Sequence, residues 1–336
     1  MKKFLSRIGH ALGAVALLLM LAIASPAGAQ QPNMVNPTAD AVKEQQLLQE
    51  LNRIQGRISI PDTKEGVLIQ PAGQSWRYFH EVILRWIGAI ALIGMLALLV
   101  VFYLVRGTVK LASGRSGRTI VRFDVIERSV HWMTAVSFII LALSGLNITF
   151  GKPLILPLVG PEMFTSISVL FKYAHNYLSF PFTIGVACML YLWLKDNIPD
   201  QSDLEWVKQG GGIIGDKHPP ARRFNAGQKG VFWLVVLGGA IMAISGYILM
   251  FPFYGTNIAN MQWAQIFHGV VGVLLIAAIF AHIYIGTLGM EGAFEAMGSG
   301  DVDLNWAKEH HRLWVEQEMG GKLAASGAKP RMTPAE

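Results

Sequence analysis

Two histidines in the last apolar stretch of the chain have a spacing that suits a pair of ligands. His268 and His282 lie fourteen residues apart in the segment 265–289, which contains no lysine, arginine, aspartate or glutamate. On a helix this spacing separates them by about 21 Å along the axis and returns the second to within about 40° of the first. Ionisable residues inside a membrane are candidate functional residues by default. Each histidine is therefore a candidate ligand near one side of a bilayer, unless a hydrogen bond to a backbone carbonyl or a serine satisfies it.

The composition is typical of an integral membrane protein. Of the 336 residues, 52% are hydrophobic and 15% are charged, and the mean hydropathy is +0.41, which leaves no room for a large soluble catalytic domain. The net charge of +6 is explained by cationic cytoplasmic loops, so no nucleic-acid partner is inferred. Cys188 is the single cysteine, which excludes a disulfide and a cysteine-ligated iron–sulfur cluster. Any redox centre must be held by histidine.

Five long apolar segments predict five transmembrane helices, at 82–105, 131–150, 175–194, 231–251 and 265–289. Lysine and arginine concentrate in the connections 106–130 and 195–230. The connection 151–174 holds only two cationic residues, and the connection 252–264 holds none. The positive-inside rule places the two cationic connections in the cytoplasm. The sequence therefore predicts a multi-pass protein of the bacterial inner membrane, with a periplasmic mature N-terminus and a cytoplasmic C-terminus.

The flanking regions have distinct compositions. Residues 1–29 are predicted to be a signal peptide, with an uncleaved first helix as the alternative, because basic residues precede an apolar core and Ala27-Gly28-Ala29. Residues 30–78 predict a polar periplasmic segment with a short amphipathic helix, either a docking surface for a partner or a solvated tether; its apolar face comprises Leu47, Leu48, Leu51 and Ile54. The other predicted segments are an extra transmembrane helix and cytoplasmic loop at 79–117, a membrane domain at 118–316 and a flexible cytoplasmic tail at 317–336.

Depth in the membrane sorts four histidines into two pairs. His131 opens the second predicted span on its cytoplasmic side, and His175 opens the third on its periplasmic side. His175 is therefore predicted to pair with His268, and His131 with His282. Two imidazole pairs at different depths favour two b-type haems, whereas zinc would require more ligands at each depth. The predicted fold class is all-α integral membrane, a four-helix di-haem cytochrome b bundle plus one additional N-terminal transmembrane helix.

Other residues in and near the spans have two explanations each. Glycines in the spans either make room for a porphyrin or serve helix packing; they are Gly145, Gly185, Gly246, Gly269 and Gly272. Arg128, one turn before His131, is either a partner for a haem propionate or a topology-setting charge. The remaining histidines are predicted to be solvated or interfacial; they are His10, His80, His218, His310 and His311.

Several motifs together resemble the cytochrome b gamma subunit of respiratory formate dehydrogenase. They are RSVHW at 128–132, LSG at 143–145, KDNIPD at 195–200, FNAGQK at 224–229 and the helix that carries His268 and His282. The similarity covers about residues 118–316. The start of the second span is shared with the cytochrome b of hydrogenases, while the NAGQK motif is more particular to formate dehydrogenase. The signal sequence, the 30–78 segment and the extra span depart from the four-span form of this family.

The resemblance implies an electron-transfer subunit that has no formate site of its own. A periplasmic molybdenum or tungsten alpha subunit would oxidise formate, and an iron–sulfur beta subunit would pass electrons to the haem of His175 and His268. The haem of His131 and His282 would then reduce quinone near the cytoplasm. The quinone site would comprise Asn225, Gly227 and Gln228 beside His282, unless Asn225 caps a helix and Gln228 faces water. The rivals are a nickel–iron hydrogenase cytochrome b, a histidine-lined transporter and a haem-free anchor.

Overall fold

The computed structural model describes residues 73–212, 219–252 and 254–326. The predicted signal peptide and the amphipathic helix near residue 50 lie outside these ranges, as do His10, His218 and the tail beyond residue 326. The elements in chain order are α1 Gly73–Arg106, β1 Thr119–Val121, α2 Val125–Leu154, α3 Leu156–Trp193, α4 Gln201–Lys208, α5 Ala226–Met250, α6 Ile258–Gly289, α7 Glu295–Gly298, β2 Asp301–Asp303, α8 Leu304–His310 and α9 Arg312–Ser326. Short π-helical turns lie within α1 and at the end of α6.

Four helices within the described ranges, α1, α2, α5 and α6, are long and apolar enough to cross a membrane. The predicted third span falls in the second half of α3, which packs along α2 and α5. This half contains no lysine, arginine, aspartate or glutamate, and its polar residues include Asn176, Ser179 and Thr183. The all-α integral membrane fold predicted from the sequence is confirmed, while the crossing by 175–194 stays a prediction.

Side-chain caps fix where three of the helices begin. Asp124 and Glu127 form a capping box at the start of α2, and Asn225 and Gln228 form one at the start of α5. The Asn257 side chain accepts a hydrogen bond from the backbone of Asn260 at the start of α6. Such caps satisfy backbone N–H groups that have no partner within the helix. The polar residue before each apolar run therefore sets the depth at which the run begins.

The additional N-terminal helix α1 packs on α6. The Leu84 side chain, which is almost fully buried, occupies the space beside Gly269, and Gly88 lies against Phe150 and Val273. Farther along, the rings of Phe102 and Tyr103 meet the Tyr284 ring edge-on. Close approach of backbones at small residues is the usual basis of helix association in membranes. Packing of α1 against Gly269 thus gives that glycine a helix-packing role.

The starts of α2 and α5 and the ends of α3 and α6 meet in a compact cap at one end of the bundle. Its apolar core includes Phe123, Trp193, Phe224, Phe232 and Trp306. A two-stranded antiparallel sheet, in which Thr119 pairs with Asp303, closes the cap. Burial alone would raise the pKa of the Asp303 carboxyl, but hydrogen bonds from Ser116 and from the backbone of Asn305 and Trp306 lower it below its usual value.

The prediction that His311 is solvated or interfacial is wrong, because the cap buries it completely, with 0% of its surface exposed. Its Nδ1 lies 2.8 Å from the carbonyl oxygen of Arg222, and its Nε2 lies 3.1 Å from Nη2 of Arg122. Burial, and then the charge of Arg122, hold the pKa of His311 well below its usual value. The ring is therefore neutral: Nδ1–H donates to the Arg222 carbonyl and Nε2 accepts from Arg122.

Arg122 is the cation at the centre of this cluster and is only 3% exposed. Its guanidinium lies 5.2–5.3 Å from the ring centres of Phe123, Trp306 and Trp314, a cation–π arrangement. Its Nη2 also donates to the carbonyl of Arg223 at 2.6 Å. Burial, and then the nearby Arg223, lower the pKa of Arg122 to about 9, so it stays charged at neutral pH.

An ion-pair cluster joins the cap to the first turn of α2. Arg223 bridges Glu127 and Asp196 at 2.7 Å and 2.9 Å, and Glu127 also accepts a hydrogen bond from the Trp193 indole at 2.7 Å. Glu127 lies one turn before His131 on the same helix. Arg223 and Trp193 therefore hold the end of α2 that carries His131.

Candidate functional site

The structure brings four histidines of the long helices together as two facing pairs. The ring centres of His175 on α3 and His268 on α6 are 6.0 Å apart, and those of His131 on α2 and His282 on α6 are 6.2 Å apart. These are the pairs that depth in the sequence predicts. Imidazole nitrogens lie about 2.0–2.1 Å from a bound metal, so two rings on opposite sides of one metal have centres about 6 Å apart. Each pair therefore has the separation of two axial ligands.

Two protein nitrogens are too few for an ion bound by protein alone. Within the described ranges, no group of three or more histidine, cysteine, aspartate or glutamate residues is placed to hold a metal ion. Haem iron takes its equatorial ligands from the porphyrin and needs only axial ligands from the protein. The donor set of each pair consequently fits haem better than it fits a free ion.

The alternative raised from the sequence, a hydrogen bond from the histidine to a serine, is what the structure shows at Nδ1 of both rings of the first pair, although the sequence did not indicate which serines. Ser144 Oγ lies 2.7 Å from Nδ1 of His175, and Ser245 Oγ lies 3.0 Å from Nδ1 of His268. Each hydroxyl also donates to a carbonyl of its own helix, at 2.8 Å to Ile140 for Ser144 and at 2.6 Å to Ile241 for Ser245. With its proton used, each Oγ accepts from Nδ1–H. This leaves the Nε2 lone pair of each histidine for a metal.

A glycine follows each of these serines and lies against the ring that its neighbour orients. A methyl group placed on Gly145 would lie 3.6 Å from Cε1 of His175, and one on Gly246 would lie 3.2 Å from Cε1 of His268. The Ser-Gly dipeptide therefore occurs twice, on α2 and on α5, in the same relation to a histidine of another helix. This repeat is the signal in the sequence from which the two serines could have been found.

The second pair has different surroundings. Nδ1 of His131 is buried and has no hydrogen-bond partner among the described residues, and its ring meets Trp132 edge-on at 5.3 Å.

Gly185 lies directly against the Thr134 side chain, so this contact favours the helix-packing explanation for Gly185. A methyl group placed on Gly272 would be in ordinary contact with Met242, 3.4 Å from its terminal carbon.

Arg128 is engaged by the polypeptide itself. Its Nη1 donates to the carbonyl oxygens of Gly298 and Ser299, in the connection between α7 and β2. The side chain therefore ties the first turn of α2 to the cap. This contact supports neither the pairing with a haem propionate nor a role as a topology charge alone.

The residues predicted to bind quinone form the first turn of α5, at the same end of the bundle as His131 and His282. The Asn225 side-chain oxygen accepts from the Gln228 backbone at 2.9 Å, and the Gln228 side-chain oxygen accepts from the Asn225 backbone at 3.1 Å. The alternative explanation, that Asn225 caps the helix, is therefore what the structure shows for its oxygen. Neither amide nitrogen donates to any residue in the described ranges, so both NH₂ groups stay suitable for a ligand.

An α-helical membrane bundle with two facing histidine pairs is the architecture of a membrane cytochrome b. Residues 122–300, more than half of the chain, match the family described as prokaryotic cytochrome b561. The matched range contains all four paired histidines and the first turn of α5.

Matches to individual proteins define the family more closely than the match to the family model. The chain is 31% identical over 217 residues to the cytochrome b556(fdo) subunit of formate dehydrogenase of Escherichia coli K12, covering 59% of this chain and 93% of that protein. It is 26% identical over 215 residues to the nitrate-inducible cytochrome b556(Fdn) subunit of the same organism, covering 60% and 92%. A formate dehydrogenase cytochrome b556 subunit of Haemophilus influenzae is 26% identical over 222 residues, covering 61% and 85%. The chain belongs to this family of formate dehydrogenase cytochrome b subunits.

Proposed function

We propose that this chain is the di-haem electron-transfer subunit of a formate:quinone oxidoreductase in the bacterial inner membrane. The observation that supports it most directly is the meeting of four histidines as two facing pairs, with His268 and His282 about 21 Å apart along one helix. Haem b bound between each pair supplies a one-electron redox centre. Residues of α6 contribute to both pairs, so one rigid element sets the distance between the two centres.

The proposal assigns the two ends of the bundle to different partners. The end with His175 and His268 would face the periplasm and receive electrons from the iron–sulfur subunit of a molybdenum or tungsten formate dehydrogenase. The end with His131 and His282 would face the cytoplasm, from which quinone reduction draws protons. The loops at this second end carry most of the arginine and lysine of the membrane domain, and this distribution supports the orientation.

A cytochrome b subunit of a nickel–iron hydrogenase is the alternative. The similar proteins are named as formate dehydrogenase subunits, and the alignments cover almost the whole length of those proteins. Both findings favour the first assignment. Metal analysis of the complex that copurifies with the tagged chain decides between them. Molybdenum or tungsten with formate-dependent haem reduction would support the proposal, whereas nickel with hydrogen-dependent reduction would contradict it.

Replacing Ser144 with alanine is expected to weaken haem binding at the pair of His175 and His268 by about tenfold to a hundredfold, because the Nδ1–H of His175 loses the group that fixes its tautomer. Haem retention during dilution in detergent measures the effect. Ser137→Ala is the matched control, since Ser137 is a buried serine of the same helix. Equal haem loss from the two variants would contradict an orienting role for Ser144.

Replacing Gln228 with leucine is expected to raise the KM for quinone by about threefold to tenfold, because one hydrogen bond to the quinone carbonyl is lost. Steady-state quinone reduction by the formate dehydrogenase complex measures this, with both haem spectra unchanged. Gln228→Glu separates binding from capping, since glutamate keeps the oxygen that caps α5 and lacks the NH₂ group. A Glu variant with the KM of the unaltered protein would return Gln228 to a purely capping role.

A further inference from the structure

The short helix α4 lies beside the first turn of α5 and places an indole ring there. A methyl group placed on Gly227 would lie 3.0 Å from Cη2 of Trp206 and 3.4 Å from Oδ1 of Asn225. The same indole packs against Gly211, where a methyl group would lie 2.5 Å from Cη2 and where a φ of +67° already favours glycine. The Trp206 indole therefore lies in close contact with Gly227, next to the Asn225 side-chain oxygen.

Buried charge fixes α4 in this position. The Lys229 ammonium donates to Asp203 at 2.8 Å and to Asp200 at 3.1 Å, and its side chain is only 5% exposed. It also donates to the carbonyl of Ile198 at 3.1 Å. Lys229 belongs to the first turn of α5, next to Gln228, while both aspartates belong to the start of α4. Breaking a buried ion pair is strongly destabilising, so the position of Trp206 relative to Asn225 and Gln228 is held firmly.

The outer face of α4 is apolar. Leu204 and Val207 are 58% and 60% exposed, and the nearby Ile198 is 57% exposed. In a chain whose long helices span a bilayer, exposed aliphatic side chains on a short amphipathic helix are typical of a helix at the membrane surface. A quinone dissolved in the bilayer therefore meets α4 as it approaches the first turn of α5.

We propose that Trp206 is the aromatic wall of the quinone site, against which the flat quinone ring packs while the amides of Asn225 and Gln228 bind its carbonyl oxygens. This inference rests on the proposed function. Small-molecule sites combine apolar or aromatic walls with a few well-placed polar groups, and Trp206 supplies the aromatic wall that the amides alone lack. Lys229, Asp200 and Asp203 act through Trp206 as positioning residues.

The test compares Trp206→Leu with Trp206→Phe in the purified, haem-loaded formate dehydrogenase complex. The readouts are the Kd of the quinone analogue 2-heptyl-4-hydroxyquinoline N-oxide, from quenching of its fluorescence, and the KM for menadione. Leucine is expected to raise both by about threefold to tenfold, because ring stacking is lost. Phenylalanine keeps a stacking surface and is expected to change them less, and both variants are expected to keep the reduced haem spectrum of the unaltered protein. Trp86→Leu is the matched control, since Trp86 is an exposed tryptophan of α1.

The outcomes separate this inference from the function on which it rests. Normal binding by Trp206→Leu, with weakened binding by Gln228→Glu, would overturn the role of Trp206 and leave the quinone site in place. Normal binding by both variants would overturn the site itself. If Trp206→Phe binds as weakly as Trp206→Leu, stacking is not the cause and the inference also fails. Loss of haem from Trp206→Leu, with Trp206→Phe unchanged in every readout, would show a structural role and contradict the inference.

Discussion

Replacing His131 with alanine is expected to lower the haem content from about two to about one per chain, because an axial ligand of one centre is lost and the other pair is untouched. His282→Ala is expected to give the same spectrum, since the two rings face each other at 6.2 Å. His175→Ala and His268→Ala are expected to remove the other haem. The measurement is the dithionite-reduced optical spectrum of each purified variant, with haem quantified per chain.

Double variants make the pairing itself testable. His131→Ala combined with His282→Ala is expected to keep one haem, as each single variant does, whereas His131→Ala combined with His175→Ala is expected to keep none. His80→Ala is the control, because His80 stacks on Trp76 and lies in neither pair. If His131→Ala bleached the centre held by His268, the assignment of ligands would be wrong.

Replacing His311 with alanine is expected to destabilise the cap by about 2–4 kcal/mol at neutral pH, because it removes a fully buried ring together with its hydrogen bonds to Arg122 and to the Arg222 carbonyl. Arg122 stays buried and charged, which makes the loss costly. Thermal unfolding in detergent measures the change. His310→Ala is the matched control, since its ring is only partly buried against Trp306.

The stability lost in His311→Ala is expected to depend on pH. The pKa of His311 lies well below its usual value in the folded protein, so folding favours the neutral ring. The neutral His311 ring therefore contributes its full share of the folding stability above the unfolded pKa of about 6.5. Below that pH the contribution decreases by up to about 1.4 kcal/mol per pH unit. The difference between the unaltered protein and His311→Ala should shrink from pH 7 to pH 5. A difference that stays constant or grows would contradict a neutral, hydrogen-bonded His311.

The histidine pairing was predictable because depth in a membrane follows from position along a helix. The fourteen-residue spacing of His268 and His282 places one ring near each end of α6, and the starts of the spans place His131 and His175. The start of α5 at Asn225 was likewise predictable, because a helix cap was the alternative explanation for this residue. These features depend on residues close together in sequence, so one sequence is enough to predict them.

The orienting groups were not predictable in the same way, because they depend on contacts between distant segments. Ser144 and Ser245 act on rings carried by other helices, so their hydrogen bonds appear only when the bundle is assembled. His311 lies in a polar stretch, yet Arg122, 189 positions away in sequence, pairs with it in a buried cluster. The contact between the Trp206 ring and Gly227 likewise joins two segments, and nothing in the sequence around Trp206 indicates it.

The polar residues of α3 have partners on a neighbouring helix. α3 carries polar residues on the stretch that was predicted as the third span, and its Thr183 accepts a hydrogen bond from the Tyr247 hydroxyl of α5 at 3.0 Å. Hydrogen bonding between helices lets a helix in a bundle hold polar groups that a single helix in lipid would not tolerate. The polar residues of α3 are therefore compatible with the predicted crossing by 175–194.

The central claim is that two histidine pairs each hold one haem b, and the most direct test is to count haem b per chain in the purified, unaltered protein from its dithionite-reduced spectrum. The account predicts b-type bands with about two haems per chain, each abolished by alanine at either member of one pair. A protein that stayed colourless after reconstitution with iron protoporphyrin, or that bound a single haem lost equally in all four variants, would contradict it.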